Sequence, residues 1–261
     1  MPAFIVPRGG AQGLRSCDTS QINQSSPQTV GLVAAVSGNL GTRNVVRPSS
    51  PLTGTTARRG VLAGGSALQF NAVGQGTEIT LPESLKIAHP ISIDAWVIPL
   101  GGTVSAYAGV FGSVHNNTAS GPYFCYAICA SNPSGKWSIL TNSGGSWGGS
   151  PQTQLDSTAA WVTGQLTHVV GTFNANRKNL YVNGALDATN TTACASPTYS
   201  ATSLLFAGNF TGVSRISNLL FLEGRVWNRE LSASDVQQLY NPATRWDLYY
   251  VPGRRVFFDL G

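Results

Sequence analysis

An all-β sandwich is the fold class that this sequence predicts, on three observations. Short apolar segments with the alternation typical of strands recur along the chain, and Ile91–Pro99 is the clearest of them. The dipeptide Asn183-Gly184 is a strong hairpin-turn signal, because both positions tolerate positive φ. One segment near residue 235 carries clear helix signals. A chain of 261 residues is long enough for one such domain.

The segment Ile91–Pro99 places four of its aliphatic side chains on one face and Trp96 on the other. Pro99 ends the strand, because proline has no N–H for the next ladder bond. The buried face is predicted to hold Ile91, Ile93, Ala95 and Val97. Further strands are predicted within 64–70, 77–81, 107–111, 123–129, 137–140, 166–173, 179–183, 185–189, 203–208 and 216–226.

The helix is predicted to begin at Ser232, its N-cap. Asp235 stands three residues later, which makes a capping box with Asp in place of the usual Glu. Leu231 precedes the cap and forms a hydrophobic staple with Val236. The helix ends at Asn241-Pro242, and its buried stripe is predicted to hold Val236, Leu239 and Tyr240.

The chain is predicted to have three parts. Residues 1–63 are rich in Gly, Ser, Thr, Gln and Pro and read as an extended arm with loops, in which 31–36 is the one candidate for a buried strand. Residues 64–241 form the sandwich. Residues 242–261 form an aromatic tail that must pack on its own domain or on a partner, because a free apolar tail would aggregate.

The order of hairpin, strand, strand and helix resembles the laminin-G-like, concanavalin-A-like jelly roll. The segments that carry the resemblance are HVVGTF from His168, LYVNG from Leu180, LLFAGN from Leu204 and GRVWNRELSASDVQQLY from Gly224. The resemblance covers residues 64–240 and implies a jelly-roll β-sandwich with one short C-terminal helix. Such sandwiches are mostly binding and assembly scaffolds, and only some of their relatives are enzymes.

Composition narrows the choice of partners. Only 10% of the residues are charged, so the surface is neutral and polar and poorly protected against association. The net charge is +5, yet the basic residues form no dense stripe with interleaved aromatics, which argues against nucleic acid as a partner. The sequence begins with no apolar core of a secretory signal and holds no stretch typical of a membrane helix.

The four cysteines, Cys17, Cys125, Cys129 and Cys194, favour free or buried thiols in a reducing compartment over disulfides. Their spacing matches no common zinc pattern, so no metal or other cofactor is expected. Laminin-G-like relatives often bind Ca²⁺ through an Asp-Glu on a late strand. The matching stretch here is Ser217-Asn218, which lacks both acids, so stability is expected to be indifferent to Ca²⁺.

Catalysis is not expected. Jelly-roll glycosidases need two carboxylates facing one cleft, and no two of the 11 acidic residues stand at i, i+2 or i, i+4 on a predicted strand. No Gly-x-Ser-x-Gly elbow is present. The histidines are His89 in a turn, His115 in a loop, and His168 at a position where the family usually has a structural histidine.

Two sets of side chains are candidates for binding. Trp137, Trp147, Tyr123 and Tyr126 form a stacking platform for a sugar, or else are ordinary core and loop aromatics. The tail is predicted to make intermolecular contacts, or else to fold back and close its own sandwich. Its proposed protein-contact residues are Trp246, Tyr249, Tyr250, Arg254, Arg255, Phe257 and Phe258.

The tail also resembles the endings of laminin-G-like proteins among bacteriophage structural genes. That resemblance implies a non-enzymatic virion structural protein, assembled in the host bacterial cytoplasm. Its expected role is capsid decoration or cement, or a head fibre, of a tailed bacteriophage. The major capsid protein is the expected partner, with self-association, and neither nucleic acid nor membrane is expected. The alternative is a carbohydrate-binding adhesion module, on a phage tail or secreted.

Overall fold

The structure, a computed structural model, describes residues 22–37, 43–44, 58–62, 65–72, 76–102, 104, 108–118, 121–131, 135–141, 153–194, 196–201, 203–208, 217–245 and 247–249. Within these ranges, the strands and the one α-helix account for most residues. The strands are β1 (Leu32–Ser37), β2 (Arg43–Asn44), β3 (Arg58–Leu62), β4 (Gly65–Phe70), β5 (Gly76–Thr80), β6 (Ile91–Pro99), β7 (Ala108–Thr118), β8 (Gly121–Ser131), β9 (Lys136–Thr141), β10 (Thr153–Ala160), β11 (Thr167–Asn174), β12 (Arg177–Val182), β13 (Ala185–Asn190), β14 (Leu204–Gly208) and β15 (Leu219–Trp227). The helix is α1 (Ala233–Tyr240).

The strands form two antiparallel sheets that enclose one core, which confirms the predicted β-sandwich. The larger sheet has the order β13-β12-β11-β6-β15-β1-β2, with β4 also paired to β15 and β3 paired to β4. The smaller sheet has the order β10-β9-β8-β7-β14-β5. The core lies between them, and the four predicted residues of β6 that face it are all fully buried, namely Ile91, Ile93, Ala95 and Val97.

The hairpins follow the predicted turn chemistry, with one difference. Asn183 and Gly184 both have positive φ, 51° and 82°, as the tight turn between β12 and β13 requires. The preceding turn is shorter than predicted, because Asn174 already pairs with Arg177 across it. The Asn174 side chain accepts a hydrogen bond from the Asn176 N–H at 2.9 Å, which stabilises the two-residue turn.

The helix begins as predicted. Ser232 Oγ accepts from the Asp235 N–H at 3.1 Å, and Asp235 Oδ2 accepts from the Ser232 N–H at 2.8 Å, which completes the capping box. Leu231 is buried beside Val236 and Leu239, so α1 lies on the outer face of the larger sheet. No helix in the described ranges has the length and apolar character that crossing a bilayer requires.

The predicted boundaries of the sandwich need correction at both ends. The strand β1 lies within the predicted arm, yet it pairs with β15 along its length, so residues 32–37 belong to the larger sheet. At the other end, Leu248 is fully buried and Tyr249 forms an isolated bridge with Ile22. Both terminal segments therefore close the outer face of the same sheet.

Candidate functional site

The predicted stacking platform does not form from the two rings that the structure describes. Tyr126 is fully buried and donates from its hydroxyl to the Leu85 carbonyl at 3.3 Å. Trp137 is 2% exposed and packs against Trp161, with ring centroids 5.1 Å apart. Both are core aromatics, because their positions in β8 and β9 face the opposite sheet. The side chain of Tyr123 and all of Trp147 lie outside the described residues.

Of the predicted protein-contact residues in the tail, the structure describes only Tyr249. Tyr249 is 1% exposed, so it packs in its own domain and is not an anchor for a partner. The neighbouring backbone is held by Asn23, whose N–H donates to the Leu248 carbonyl at 2.8 Å and whose amide donates to the Asp247 carbonyl at 3.0 Å. The other predicted contacts, Trp246, Tyr250, Arg254, Arg255, Phe257 and Phe258, lie outside the described residues.

A buried polar cluster lies on the outer face of the larger sheet, beneath α1 and the C-terminal segment. Asp94 on β6 accepts from His168 Nε2 at 2.9 Å and from Arg225 Nη2 at 2.5 Å, and Asp94 and His168 are fully buried. Burial would raise the pKa of Asp94, but Arg225 and His168 outweigh it and the pKa is lowered. Burial lowers the pKa of His168 against the pull of Asp94, so this imidazole is neutral near neutral pH.

Aromatic rings seal this cluster from solvent. The His168 ring stacks on Trp96, with centroids 4.6 Å apart, and Tyr240 of α1 lies parallel to both. The guanidinium of Arg245 covers the Trp96 ring at 5.1 Å. Asp94, His168 and Arg225 are at most 1% exposed, so the cluster holds the fold together and is not the candidate site. Sequence reasoning anticipated a structural role for His168 but not its partners.

Glu223 is the member of the cluster whose ionised form destabilises the fold. Burial raises its pKa to about 7, although Arg225 opposes the shift. Its Oε1 lies 3.8 Å from Arg225 Nε and has no hydrogen-bond partner among the described residues. An acid with a raised pKa in the folded state stabilises the fold at pH below its unfolded value, and that contribution is lost as the pH rises toward the folded value. Ionised Glu223 therefore weakens the fold above neutral pH.

Replacing Glu223 by Gln is expected to raise the free energy of unfolding by about 2 kcal/mol at about pH 8, because the amide avoids burying a charge. At about pH 5 the variant and the wild type should differ by much less. Urea unfolding at both pH values measures this, with Glu83→Gln as the matched control, since the Glu83 side chain is 86% exposed. Equal stabilities at the higher pH would contradict the assignment.

Two neighbouring depressions on the larger sheet form the candidate site. The helix-side depression, about 470 Å³, lies between β12, β13 and the start of α1. Its least exposed lining residues are Leu231 at 2%, Tyr181 at 5% and Asn179 at 6%, while Leu186 stands at the rim with 56% exposure. The turn-side depression, about 600 Å³, lies between the β11–β12 turn, the segment His89-Pro90 and Thr191.

One ion pair stands at the boundary of the two depressions and lines both. Arg177 Nη2 donates to Glu230 Oε1 at 2.9 Å, and Asn174 Nδ2 donates to Glu230 Oε2 at 2.7 Å. The Arg177 side chain is 49% exposed and that of Glu230 26%, so both remain available to a ligand. We call the two depressions with this pair the polar groove.

The polar groove offers fixed hydrogen-bonding groups and little charge. The amide of Asn179 is held by Thr172 Oγ1 at 3.3 Å and by Thr189 Oγ1 at 2.8 Å, so its orientation is set before a ligand arrives. Glu230 is the one carboxylate that lines the described part of the groove. No cluster of metal-ligating side chains occurs among the residues that the structure describes. The sequence signal for this site is the run NANRK from Asn174, which the sequence predicts only as a hairpin loop.

Two facing antiparallel sheets with one short helix define a jelly-roll β-sandwich domain. A laminin G family model, described as the concanavalin A-like lectin/glucanases superfamily, matches residues 73–237. The chain belongs to the concanavalin A-like lectin/glucanases superfamily, which confirms the resemblance predicted from its hairpin, strands and helix. A comparison with curated protein sequences finds no match.

Solved structures with the same fold include carbohydrate-related proteins. Domain 4 of AbnA, a GH43 extracellular arabinanase from Geobacillus stearothermophilus, was solved in complex with arabinotriose and is 20% identical, with a TM-score of 0.60 over 80% of this chain and 98% of that domain. The binding domain of Paraclostridial Mosquitocidal Protein 1 is 12% identical, with a TM-score of 0.62 over 82% of this chain and 52% of that chain.

Trypanosoma rangeli sialidase in complex with sialic acid is 18% identical, with a TM-score of 0.56 over 80% of this chain. This chain spans only 32% of the sialidase chain. At such identities the likeness to all three structures shows the fold alone.

Proposed function

We propose that this domain is a non-enzymatic carbohydrate-binding module whose site is the polar groove. The observation that carries the proposal is the ion pair of Arg177 and Glu230 between two polar depressions. A saccharide presents hydroxyl groups that both donate and accept, and the groove supplies guanidinium, carboxylate, amide and hydroxyl partners in fixed positions. The complex of the AbnA domain with arabinotriose supports a carbohydrate ligand for this fold.

The proposal of binding without catalysis rests on the carboxylates. Glycoside hydrolysis generally uses two carboxyl groups about 5–9.5 Å apart across the scissile bond. In the described part of the groove Glu230 lacks a carboxylate partner, and both of its oxygens are engaged by Arg177 and Asn174. Asp235, the acidic residue of the nearby helix start, is occupied by the capping box and by Arg229.

Replacing Arg177 by Ala is expected to weaken glycan binding by roughly tenfold, because hydrogen bonds from a charged donor contribute about 1.5–3 kcal/mol. The wild-type protein is first screened on an array that includes arabinotriose and sialylated glycans, and the best glycan is then titrated by calorimetry. Lys136→Ala is the control, because it removes a cation from β9 of the smaller sheet, and Lys136 lines neither depression of the groove. Unchanged affinity in Arg177→Ala, or no binding to any glycan, would contradict the proposal.

We propose a virion structural role as the second candidate, with this domain bound to the major capsid protein of a tailed bacteriophage. The low charged fraction of 10% favours it, because a neutral polar surface suits a protein packed against neighbours. The test is location and stoichiometry in purified particles. Hundreds of copies on the shell support capsid decoration. A few copies near a tail support adhesion through glycans. Absence from purified particles excludes both capsid decoration and a role on the phage tail.

A further inference from the structure

Two chemically active side chains, those of Cys194 and His89, meet beside the turn-side depression. The thiol of Cys194 lies 3.6 Å from His89 Nε2. His89 itself lines the depression. The two residues are 105 positions apart, so the fold, and not the local sequence, creates this contact.

Backbone hydrogen bonds hold the pair in place. The Cys194 N–H donates to the Ala175 carbonyl at 2.8 Å, which ties the thiol to the β11–β12 turn. The His89 N–H donates to Ser196 Oγ at 3.3 Å, on the segment that carries Cys194. Cys194 is 2% exposed, but residues 191–193 before it and Ser196 after it are exposed, so the thiol lies just below the surface.

A buried lysine lies close to the same thiol. Lys178 is 1% exposed and pairs with Asn190 of β13, four residues before Cys194. Burial lowers the pKa of Lys178, and the negative charge of a Cys194 thiolate opposes that shift. A cation close to a cysteine favours the thiolate over the thiol.

We propose that Cys194 is a nucleophilic thiol, activated by His89 and Lys178, that undergoes exchange with small disulfides. His89 Nε2 takes the thiol proton, and Lys178 stabilises the resulting thiolate. The thiolate sulfur attacks one sulfur of the disulfide, a new S–S bond forms, and the old S–S bond breaks. The leaving thiolate takes the proton from His89. Cys194 is thereby oxidised to a mixed disulfide and one half of the reagent is reduced to a thiol.

Two other cysteines of the same chain are internal controls. Cys125 and Cys129 are fully buried in β8. Burial raises the pKa of Cys125 to about 12, which leaves it almost entirely protonated and unreactive near neutral pH. The structure therefore separates one activated thiol from two inert ones.

The test is reaction of the folded protein with hydroxyethyl disulfide, a small neutral reagent, followed by peptide mapping of each cysteine. Cys194 is expected to react at least about tenfold faster than Cys125 or Cys129. His89→Gln and Lys178→Met should each slow Cys194 by roughly threefold or more. Lys136→Met, on β9 of the smaller sheet, is the matched control and should leave the rate unchanged.

Equal rates for the three cysteines in the wild-type protein would overturn the proposal, whether or not the Lys178→Met variant folds. Fast reaction that persists in both His89→Gln and Lys178→Met would overturn the assigned activation. Repeating the reaction in urea supplies the intrinsic rate of each cysteine. Glycan binding is measured separately on the Cys194→Ser variant, so failure of this proposal and failure of the binding proposal are distinguishable.

Discussion

Replacing Asp94 by Ala is expected to lower the free energy of unfolding by about 3–5 kcal/mol, the usual cost of removing one partner of a buried ion pair. The variant leaves the guanidinium of Arg225, which is 1% exposed, without its closest counter-ion. It also removes the acceptor for His168 Nε2. Glu223 is the only other carboxylate in the described surroundings of Arg225, at 3.8 Å, and is too distant to replace Asp94 fully.

Urea unfolding of Asp94→Ala and wild type at neutral pH measures this loss. Glu83→Ala is the matched control, because it breaks an exposed ion pair with Lys86 and should cost under about 1 kcal/mol. A loss of less than about 1 kcal/mol in Asp94→Ala would show that Arg225 finds another partner or water.

The dependence of the free energy of unfolding on acid pH provides a second test. The pKa of Asp94 is lowered in the folded state, so its contribution is present above the ordinary carboxyl range and is lost as the pH falls through it. Glu223 has the opposite sign, because its pKa is raised to about 7. Asp94 therefore contributes to a loss of stability on the acid side, and Asp94→Ala should remove that part, while the parts due to Asp235 and His168, whose pKa values are also lowered, remain.

Truncation after Asn241 is expected to cost about 3–6 kcal/mol, enough to abolish cooperative folding in a marginally stable domain. The truncated chain loses two fully buried side chains, Leu248 and Tyr249, and uncovers the Trp96 ring that Arg245 covers. It also loses the Thr244 carbonyl that accepts from Gln28 Nε2 at 2.9 Å. Residues 244, 245 and 247–249 thus connect the segment from Ile22 to Gln28 with the outer face of the larger sheet.

Truncation after Tyr249 is the matched control, because it removes only residues outside the described ranges. Thermal melting and solubility of the two variants measure whether residues 242–249 are needed for folding. We expect a cooperative transition for the longer variant and an unfolded or insoluble shorter one. A shorter variant that is soluble and melts like wild type would show that the segment contributes nothing to the core. In the virion candidate, the longer variant also tests whether residues 250–261 attach the domain to particles.

The sequence by itself determined the elements whose signals are local. The alternation of Ile91–Pro99, the turn at Asn183-Gly184 and the capping box of Ser232 and Asp235 each depend on residues within one strand or one helical turn. Such patterns act through neighbouring φ, ψ and side-chain direction, so they need no knowledge of distant partners. With the family pattern, they predicted the sandwich and the superfamily correctly.

Strand β10 shows where local signals end. Its sequence TQLDSTAA has no apolar alternation and therefore does not predict a strand. It is a strand because it pairs with β9, and because Asp187 of β13 accepts hydrogen bonds from the Thr158 backbone and hydroxyl at 2.6 Å. Pairing with β9 and the hydrogen bonds to Asp187 therefore stabilise a strand that the local sequence alone does not favour.

The tertiary structure alone decided which side chains share a site. Asp94, His168 and Arg225 are joined across separations of 74 and 131 residues, and strand register places all three on the outer face. Tyr126 and Trp137 could not be assigned to core or surface from sequence, because a ring on a strand faces either side according to pairing and bulges. The groove of Arg177 and Glu230 arises where a hairpin meets the start of a helix 53 residues later. Contacts between distant segments depend on the whole packing, and so no local pattern in the sequence encodes them.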